Sequence, residues 1–167
     1  MKRILIASVL TFAITGAFAG EPLKEVSEVV ELPNMAQKQI YDASKIWMAK
    51  AFKSANSVIQ YEDASTGTII GKGNMQYPCS GTWNCLAHAD HLILFTVKVD
   101  TKDNKARVTF NDLLLKTKTN VNAGIVAKGY EVGIYVPKDK ETVEAGLKEV
   151  ISKYKQDIQS QKNDDNW

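Results

Sequence analysis

The sequence lacks several features that would identify a function. It has only two histidines, and it contains no nucleophile-elbow motif of the kind that α/β-hydrolases carry. It also lacks a run of about 20 apolar residues, the length that a membrane-spanning helix needs. These absences argue against an enzyme and against an integral membrane protein. We therefore assign no catalytic residue, no metal and no cofactor.

An excess of charge of one sign is also missing. The chain has 21 basic and 19 acidic residues, and removal of Lys2 and Arg3 with a cleaved leader would leave 19 of each. A neutral, mixed surface offers no basic patch to nucleic acid or to an anionic membrane. We expect no nucleic-acid partner and no stable membrane anchor after cleavage.

The beginning of the chain has the layout of a secretory signal peptide. Lys2 and Arg3 supply the positive charge, residues 4–14 are apolar apart from one Ser and one Thr, and Ala17 and Ala19 are the small residues that a signal peptidase reads. We predict cleavage after Ala19 and export. The pattern does not distinguish a periplasmic protein from a fully secreted one.

The only two cysteines, Cys79 and Cys85, are predicted to form a disulfide, because an exported chain folds in an oxidising compartment. Closing so short a loop stabilises a fold by about 2 kcal/mol. The alternative is a zinc site. Its four ligands would be Cys79, Cys85, His88 and His91. Oxidation of the cysteines competes with zinc binding. The five residues between Cys79 and Cys85 are also more than the roughly two to four that separate the cysteines of the usual structural zinc motifs.

The two cysteines enclose a small loop that is a candidate interaction site. It consists of Ser80, Gly81, Thr82, Trp83 and Asn84. A constrained, exposed aromatic side chain suits the recognition of a protein or a glycan. The alternative is that Trp83 folds back onto the domain as a lid, since large aromatics seldom stay exposed.

Two further patterns have simple structural explanations. Ser80, His88 and Asp90 include the residue types of a hydrolytic triad, but no motif supports that arrangement. Residues 67–73 resemble a phosphate-binding loop only loosely, because no Ser or Thr follows the Lys and the segment reads as a strand. We interpret its glycines as packing positions.

Hydrophobic periodicity predicts an α+β domain with the order β-α-β-β-β-β-α. The strands are predicted at 26–32, 57–62, 68–77, 92–99 and 106–114, and the first helix at 35–54 with Asn34 as its N-cap. The last helix follows Pro137 and has an apolar stripe of Val143, Leu147, Val150, Ile151, Tyr154 and Ile158. Because the strands are grouped, we expect an antiparallel sheet with both helices on one face. The single domain spans 25–159, between a flexible leader (20–24) and a frayed tail (160–167). No element is assigned within 116–138, where residues 130–136 fit either a short strand or a loop packed on the domain.

The segment 32–73 resembles a family of exported bacterial domains of unknown function with a TATA-box-binding-protein-like (TBP-like) fold. The positions that carry the resemblance are Ile40, Tyr41, Lys45, Trp47, Ala49, Phe52, Val58, Ile59, Tyr61, Asp63, Gly67, Ile69, Gly71, Lys72 and Gly73. The resemblance extends less clearly to Leu115. It implies the same β-α-β-β-β-β-α layout, but no reaction. The name of the fold does not imply DNA binding, because function belongs to sites.

Our first hypothesis is a non-enzymatic binding module of the cell envelope, with the sheet or the disulfide loop as its contact surface. The partner would be a protein or a small ligand. The alternative is a carrier of a small hydrophobic ligand in a pocket between sheet and helix. That pocket would be lined by Met48, Phe52, Met75, Tyr77 and Phe95.

Overall fold

A six-stranded antiparallel sheet forms the centre of the computed structural model, which describes residues 20–52, 58–118, 120–122 and 125–164. Its five main strands are β1 (Glu25–Glu31), β2 (Val58–Asp63), β3 (Thr68–Gln76), β4 (His91–Lys102) and β5 (Lys105–Thr117), in the spatial order β1-β5-β4-β3-β2. Two short strands, β6 (Asn120–Asn122) and β7 (Ile125–Ala127), form a separate hairpin, and β8 (Glu131–Gly133) pairs with the end of β5 beyond β1. The predicted signal peptide lies outside the described residues.

Two helices cover one face of the sheet. Helix α1 (Gln37–Ala51) packs over β3, β4 and β5, and α3 (Pro137–Asp164) packs against β1 and α1. The predicted α+β class and antiparallel topology are confirmed. The structure adds a short helix, α2 (Thr82–Ala87), between β3 and β4, and the three short strands β6 to β8. None of the described helices is long and apolar enough to cross a membrane.

Strict alternation along β4 separates the core from the open face of the sheet. The side chains that face the helices are buried: Ile93, Phe95, Val97, Val99 and Thr101. The intervening side chains, Leu92, Leu94, Thr96, Lys98 and Asp100, are partly exposed. Because successive residues of a strand point to opposite faces, this pattern fixes which face the helices cover.

A buried hydrogen bond joins α1 to α3. The Ser44 hydroxyl donates to the Ile40 carbonyl oxygen at 2.6 Å and lies 2.8 Å from the Tyr154 hydroxyl. The Tyr154 ring meets Trp47 edge to face, with 4.9 Å between ring centroids. Burial raises the pKa of Tyr154 to about 12. The two hydroxyls therefore satisfy each other in a region that excludes water.

Helix α1 is capped by a distant turn rather than by Asn34. The backbone N–H of Gln37 donates to Asp103 Oδ1 at 2.8 Å, and Asp103 lies in the turn between β4 and β5. Asn34 adopts a left-handed backbone (φ 61°), and its N–H donates to Asn104 Oδ1 at 2.9 Å. The predicted cap is therefore wrong. Ala36 is the N-cap residue, its N–H donates to Gln39 Oε1 at 2.9 Å, and the first N–H of the helix is satisfied by Asp103, 66 positions away.

Both ends of the domain are more ordered than the composition suggests. In the predicted leader, the N–H of Leu23 donates to the Ile134 carbonyl oxygen at 2.9 Å, and the Lys140 ammonium donates to the Glu21 carbonyl oxygen. The leader thus lies bound along the domain. Helix α3 continues to Asp164, five residues beyond the predicted end of the domain at 159, and the fraying of this tail stays a prediction. The predicted apolar stripe of α3 is confirmed, because all of its members except the partly buried Val150 are fully buried.

Replacing Asp103 by Ala should lower the free energy of unfolding by about 1 kcal/mol, the usual cost of a lost helix cap. Urea denaturation monitored by circular dichroism measures the change. Asp103→Asn is the matched control, because it keeps an oxygen acceptor while removing the charge, and it should retain most of the stability. Equal stability of Asp103→Ala and wild type would contradict the cap.

Candidate functional site

The predicted disulfide between Cys79 and Cys85 is present, with the two Cα atoms 4.9 Å apart. It closes the connection between β3 and β4, in which α2 lies. Because both sulfurs are bonded to each other, neither is available as a thiolate for zinc. Within the described part of the chain, no group of three or more potential metal ligands is gathered.

Helix α2 is held at its C-terminal end by contacts from outside it. With six residues it is too short to be stable alone. The side-chain amide of Gln76 donates to the carbonyl oxygens of His88 (3.3 Å) and Ala89 (2.7 Å), which follow the helix. The His88 ring stacks on Tyr77 with 4.2 Å between centroids. The end of β3 therefore orients α2.

Helix α3 fixes the segment that leads into α2. The buried Tyr77 donates from its hydroxyl to Asp139 Oδ1 at 2.8 Å, and burial, reinforced by this carboxylate, raises the pKa of Tyr77 to about 12. Pro78 packs so closely on Gly146 that a Cβ added to Gly146 would lie 2.6 Å from Pro78 Cβ. The base of the disulfide loop is therefore rigidly attached to the domain.

The loop presents two large apolar side chains to solvent. Trp83 is 84% exposed and Leu86 is 68% exposed. They are three residues apart on α2 and so share one face of it. The sequence left open whether Trp83 is exposed or folds back, and the structure exposes it. No residue from Thr82 to Ala87 is charged.

The residues of the possible hydrolytic triad are not brought together. His88 donates from Nδ1 to the Asn84 carbonyl oxygen at 2.8 Å, and Asp90 lies 3.9 Å from the Lys118 ammonium. All three triad residues lie in the described part of the chain, where no hydrogen bond joins any two of them. The arrangement gives no activated nucleophile.

Most of the predicted carrier pocket is hydrophobic core. Met48, Tyr77 and Phe95 are buried, and the rings of Phe52 and Phe95 meet edge to face at 5.4 Å. Gly73 makes room for these rings, since a Cβ there would lie 2.8 Å from an atom of Phe95. Two of the five predicted residues, Phe52 and Met75, line a surface hollow of about 670 Å³.

A second surface feature lies on the open face of the sheet; the first hypothesis names the sheet as a possible contact surface but none of the residues of this feature. Two adjoining hollows of about 390 Å³ and about 480 Å³ share Asp112 and Leu114 in their walls. We call them together the open-face groove. The pairing of β4 with β5 shifts register between Leu94 and Thr96, and Asp112 in this bulge has a left-handed backbone (φ 53°). Bulges and strained residues are frequent at functional sites because they redirect side chains.

The sequence matches a family model over residues 27–115, more than half of the chain. The model describes a domain of unknown function (DUF4468) with TBP-like fold. The chain belongs to this family. The matched region contains α1, α2, β2 to β4 and most of β1 and β5, and thus the disulfide loop and most of the open-face groove.

Two solved structures show the same fold as this DUF4468 domain. A DUF4468 family protein from Bacteroides ovatus is 19% identical, with a TM-score of 0.61 over 86% of this chain and 91% of that one. A TBP-like protein from Parabacteroides distasonis is 16% identical, with a TM-score of 0.59 over 84% of this chain and 96% of that one. At sequence identities this low, the similarity to these two structures shows a shared fold only. No curated protein matches the chain.

Several of the positions that carry the family resemblance have structural roles in the DUF4468 domain. Trp47 is buried in the core. The Lys45 ammonium lies 5.8 Å from the centre of the Tyr41 ring and 2.7 Å from the Glu62 carboxylate. These contacts join α1 to β2, so this part of the pattern accounts for the fold rather than for a reaction.

Replacing both Cys79 and Cys85 by Ser should lower the free energy of unfolding by about 2 kcal/mol. It should also increase amide hydrogen exchange in residues 82–87, because a six-residue helix needs external support. Mass spectrometry after exchange, with α1 as the internal reference, measures the effect. Unchanged protection of 82–87 would show that Gln76 and Tyr77 hold α2 without the disulfide.

Gly146→Ala should destabilise the DUF4468 domain, although Ala in a helix interior is ordinarily favoured by about 1 kcal/mol. The reason is the contact with Pro78, which leaves no room for a Cβ. In a Pro78→Gly background this contact is absent, and Gly146→Ala should then raise the melting temperature. Thermal unfolding of the four proteins completes the cycle. A stabilising Gly146→Ala in the wild-type background would contradict the close packing.

Proposed function

We propose that this domain is an exported, non-enzymatic binding module that presents Trp83 and Leu86 to a protein partner in the cell envelope. The observation that carries the proposal is the exposure of a Trp on a helix that the domain holds rigidly. An exposed Trp side chain leaves a large apolar area in contact with water, and a partner that covers it removes this unfavourable contact. Trp is also the residue type most enriched among the dominant contacts of protein interfaces.

The attachment of the loop supports binding because it lowers the entropy lost on association. The disulfide, the Gln76 amide and the packing of Pro78 on Gly146 already fix the backbone of α2. A partner would then need to order only the side chains of Trp83 and Leu86. Two apolar side chains at helical spacing fit a hydrophobic groove, the mode in which many helices are recognised.

Export is supported by the signal-peptide pattern and is consistent with the disulfide. A disulfide persists in an oxidising compartment and is rare in the cytosol. The apolar face of α2 carries no charge, so the contact should depend only weakly on salt.

Trp83→Ala should weaken binding to the partner by about 2 kcal/mol or more, roughly thirtyfold, because truncating a central aromatic removes its buried area. The protein is isolated from the periplasmic and extracellular fractions of its native host, crosslinked partners are identified, and the affinity of the best partner is measured by calorimetry. Since Trp83 is exposed, the variant should fold normally.

Tyr61→Ala is the matched control, because Tyr61 is a half-exposed aromatic on β2, away from the loop. It should bind as wild type does. Equal affinity of Trp83→Ala and wild type would reject the loop as the contact surface. Trp83-dependent flotation with lipid vesicles would show that the partner is a membrane instead, and recovery of the uncleaved chain from the cytoplasm would reject export.

A further inference from the structure

The open-face groove has an apolar floor between polar walls. Leu94 and Leu114 are directly paired across β4 and β5, and both side chains point away from the helices. Lys116 and Glu131 line the first hollow and form an ion pair with each other at 2.7 Å. Lys116 and Glu131 therefore neutralise each other, and the unpaired charges of the groove belong to other residues.

Two opposite charges lie on either side of Thr96, in the row of residues next to the leucine floor. Lys72 is exposed on β3, and within the described part of the chain no salt bridge or hydrogen bond of its ammonium is found. Asp112 projects from the bulge of β5, and its carboxylate accepts a 2.8 Å hydrogen bond from the Thr96 hydroxyl. Thr96 pairs with Lys72 on one side and Asn111 on the other, so the three strands place the charges in one row.

Asn111 adds an acceptor without a donor. Its Oδ1 atom is buried and has no hydrogen-bond partner among the described residues. Leaving a buried acceptor unsatisfied is costly, and such atoms are uncommon in folded proteins. Asn111 lines the second hollow beside Asp112, and a turn of its side chain toward the hollow would let Oδ1 accept a ligand N–H.

The spacing of these groups indicates the length of the ligand. Neighbouring strands are about 4.8 Å apart, so Lys72 on β3 and Asp112 on β5 are separated by about 10 Å across the sheet. An extended chain of three residues spans about the same distance. Its ammonium and carboxylate would meet opposite charges at the two ends, and its middle residue would lie above Thr96, with its side chain directed toward the neighbouring leucine floor.

We propose that the open-face groove binds short peptides through both of their free ends. The amino end lies at Asp112 and Asn111, the carboxylate lies at Lys72, and a central apolar side chain contacts Leu94 and Leu114. This site is separate from the disulfide loop and does not depend on the function proposed for it. One positive and one negative end favour a zwitterion over a nucleotide or another polyanion, which Asp112 would repel.

The test uses the tripeptide Ala-Leu-Ala, its N-acetylated form and its C-amidated form. Binding to the mature protein is followed by NMR shifts of the Leu94 and Leu114 methyl groups. We expect the free tripeptide to bind, and each blocked form to bind roughly tenfold more weakly, because a charge-assisted hydrogen bond is lost at that end.

Two variants identify which end meets which residue. Asp112→Asn should abolish the difference between the free and N-acetylated peptides while keeping the fold, since Asn tolerates a left-handed backbone. Lys72→Gln should abolish the difference between the free and C-amidated peptides. Lys98→Gln is the control, because Lys98 lies on the same face but pairs with Asp100 at 2.9 Å, and it should leave binding unchanged.

The proposal is overturned if the leucine methyl groups do not respond at peptide concentrations up to about 10 mM, a limit that corresponds to negligible affinity. It is also overturned if the N-acetylated and the C-amidated peptides both bind as tightly as the free one. A response of the same methyl groups to maltotriose but not to the tripeptide would show that the groove takes an uncharged sugar.

Discussion

The long hairpin of β4 and β5 is the element on which the rest of the structure depends. Its inward side chains, among them Val97, Val99, Val108 and Phe110, are completely buried and form the floor on which α1 packs. Its turn satisfies the first N–H group of α1, that of Gln37, through Asp103. Its bulge at Asp112 shapes the open face. One hairpin thus supplies the core, a helix cap and a candidate binding surface.

The main elements were predictable from sequence because they are long and periodic. The alternation in β4 that ends in Val97 and Val99 has a clear period of two residues. The apolar stripe of α3, which includes Leu147 and Tyr154, has a clear period of 3.6 residues. The order of strands and helices then restricts the fold to an antiparallel sheet with helices on one face. Local pattern and tertiary structure agree in these segments.

The features that sequence reasoning missed depend on contacts distant in the chain. Helix α2 is too short to show a period, and it depends on the disulfide and on Gln76. The N-terminus of α1 was misassigned because its cap comes from Asp103 in another element. The bulge at Asp112 requires a left-handed backbone. A Gly in the sequence would indicate that conformation, whereas an Asp does not.

Sequence reasoning identified the candidate loop but not its orientation. The cysteine spacing and the enclosed Trp83 were enough to single it out. Whether Trp83 faces solvent depends on the direction of α2, which Tyr77 and Pro78 fix through Asp139 and Gly146 on α3. Those contacts connect positions more than 60 residues apart, so no local pattern contains them.

The distribution of apolar side chains restricts where this domain can act. The two helices occupy one face of the sheet, and the buried rings of Tyr154 and Trp47 pack against each other between them. Binding through the interior would therefore require separating packed aromatic rings, which is costly in a close-packed core. The open-face groove and the exposed face of α2 require no such rearrangement. Both are attached to β3, one beside Lys72 and the other after Gln76, so a ligand or partner at either place would meet a backbone that the sheet already holds fixed.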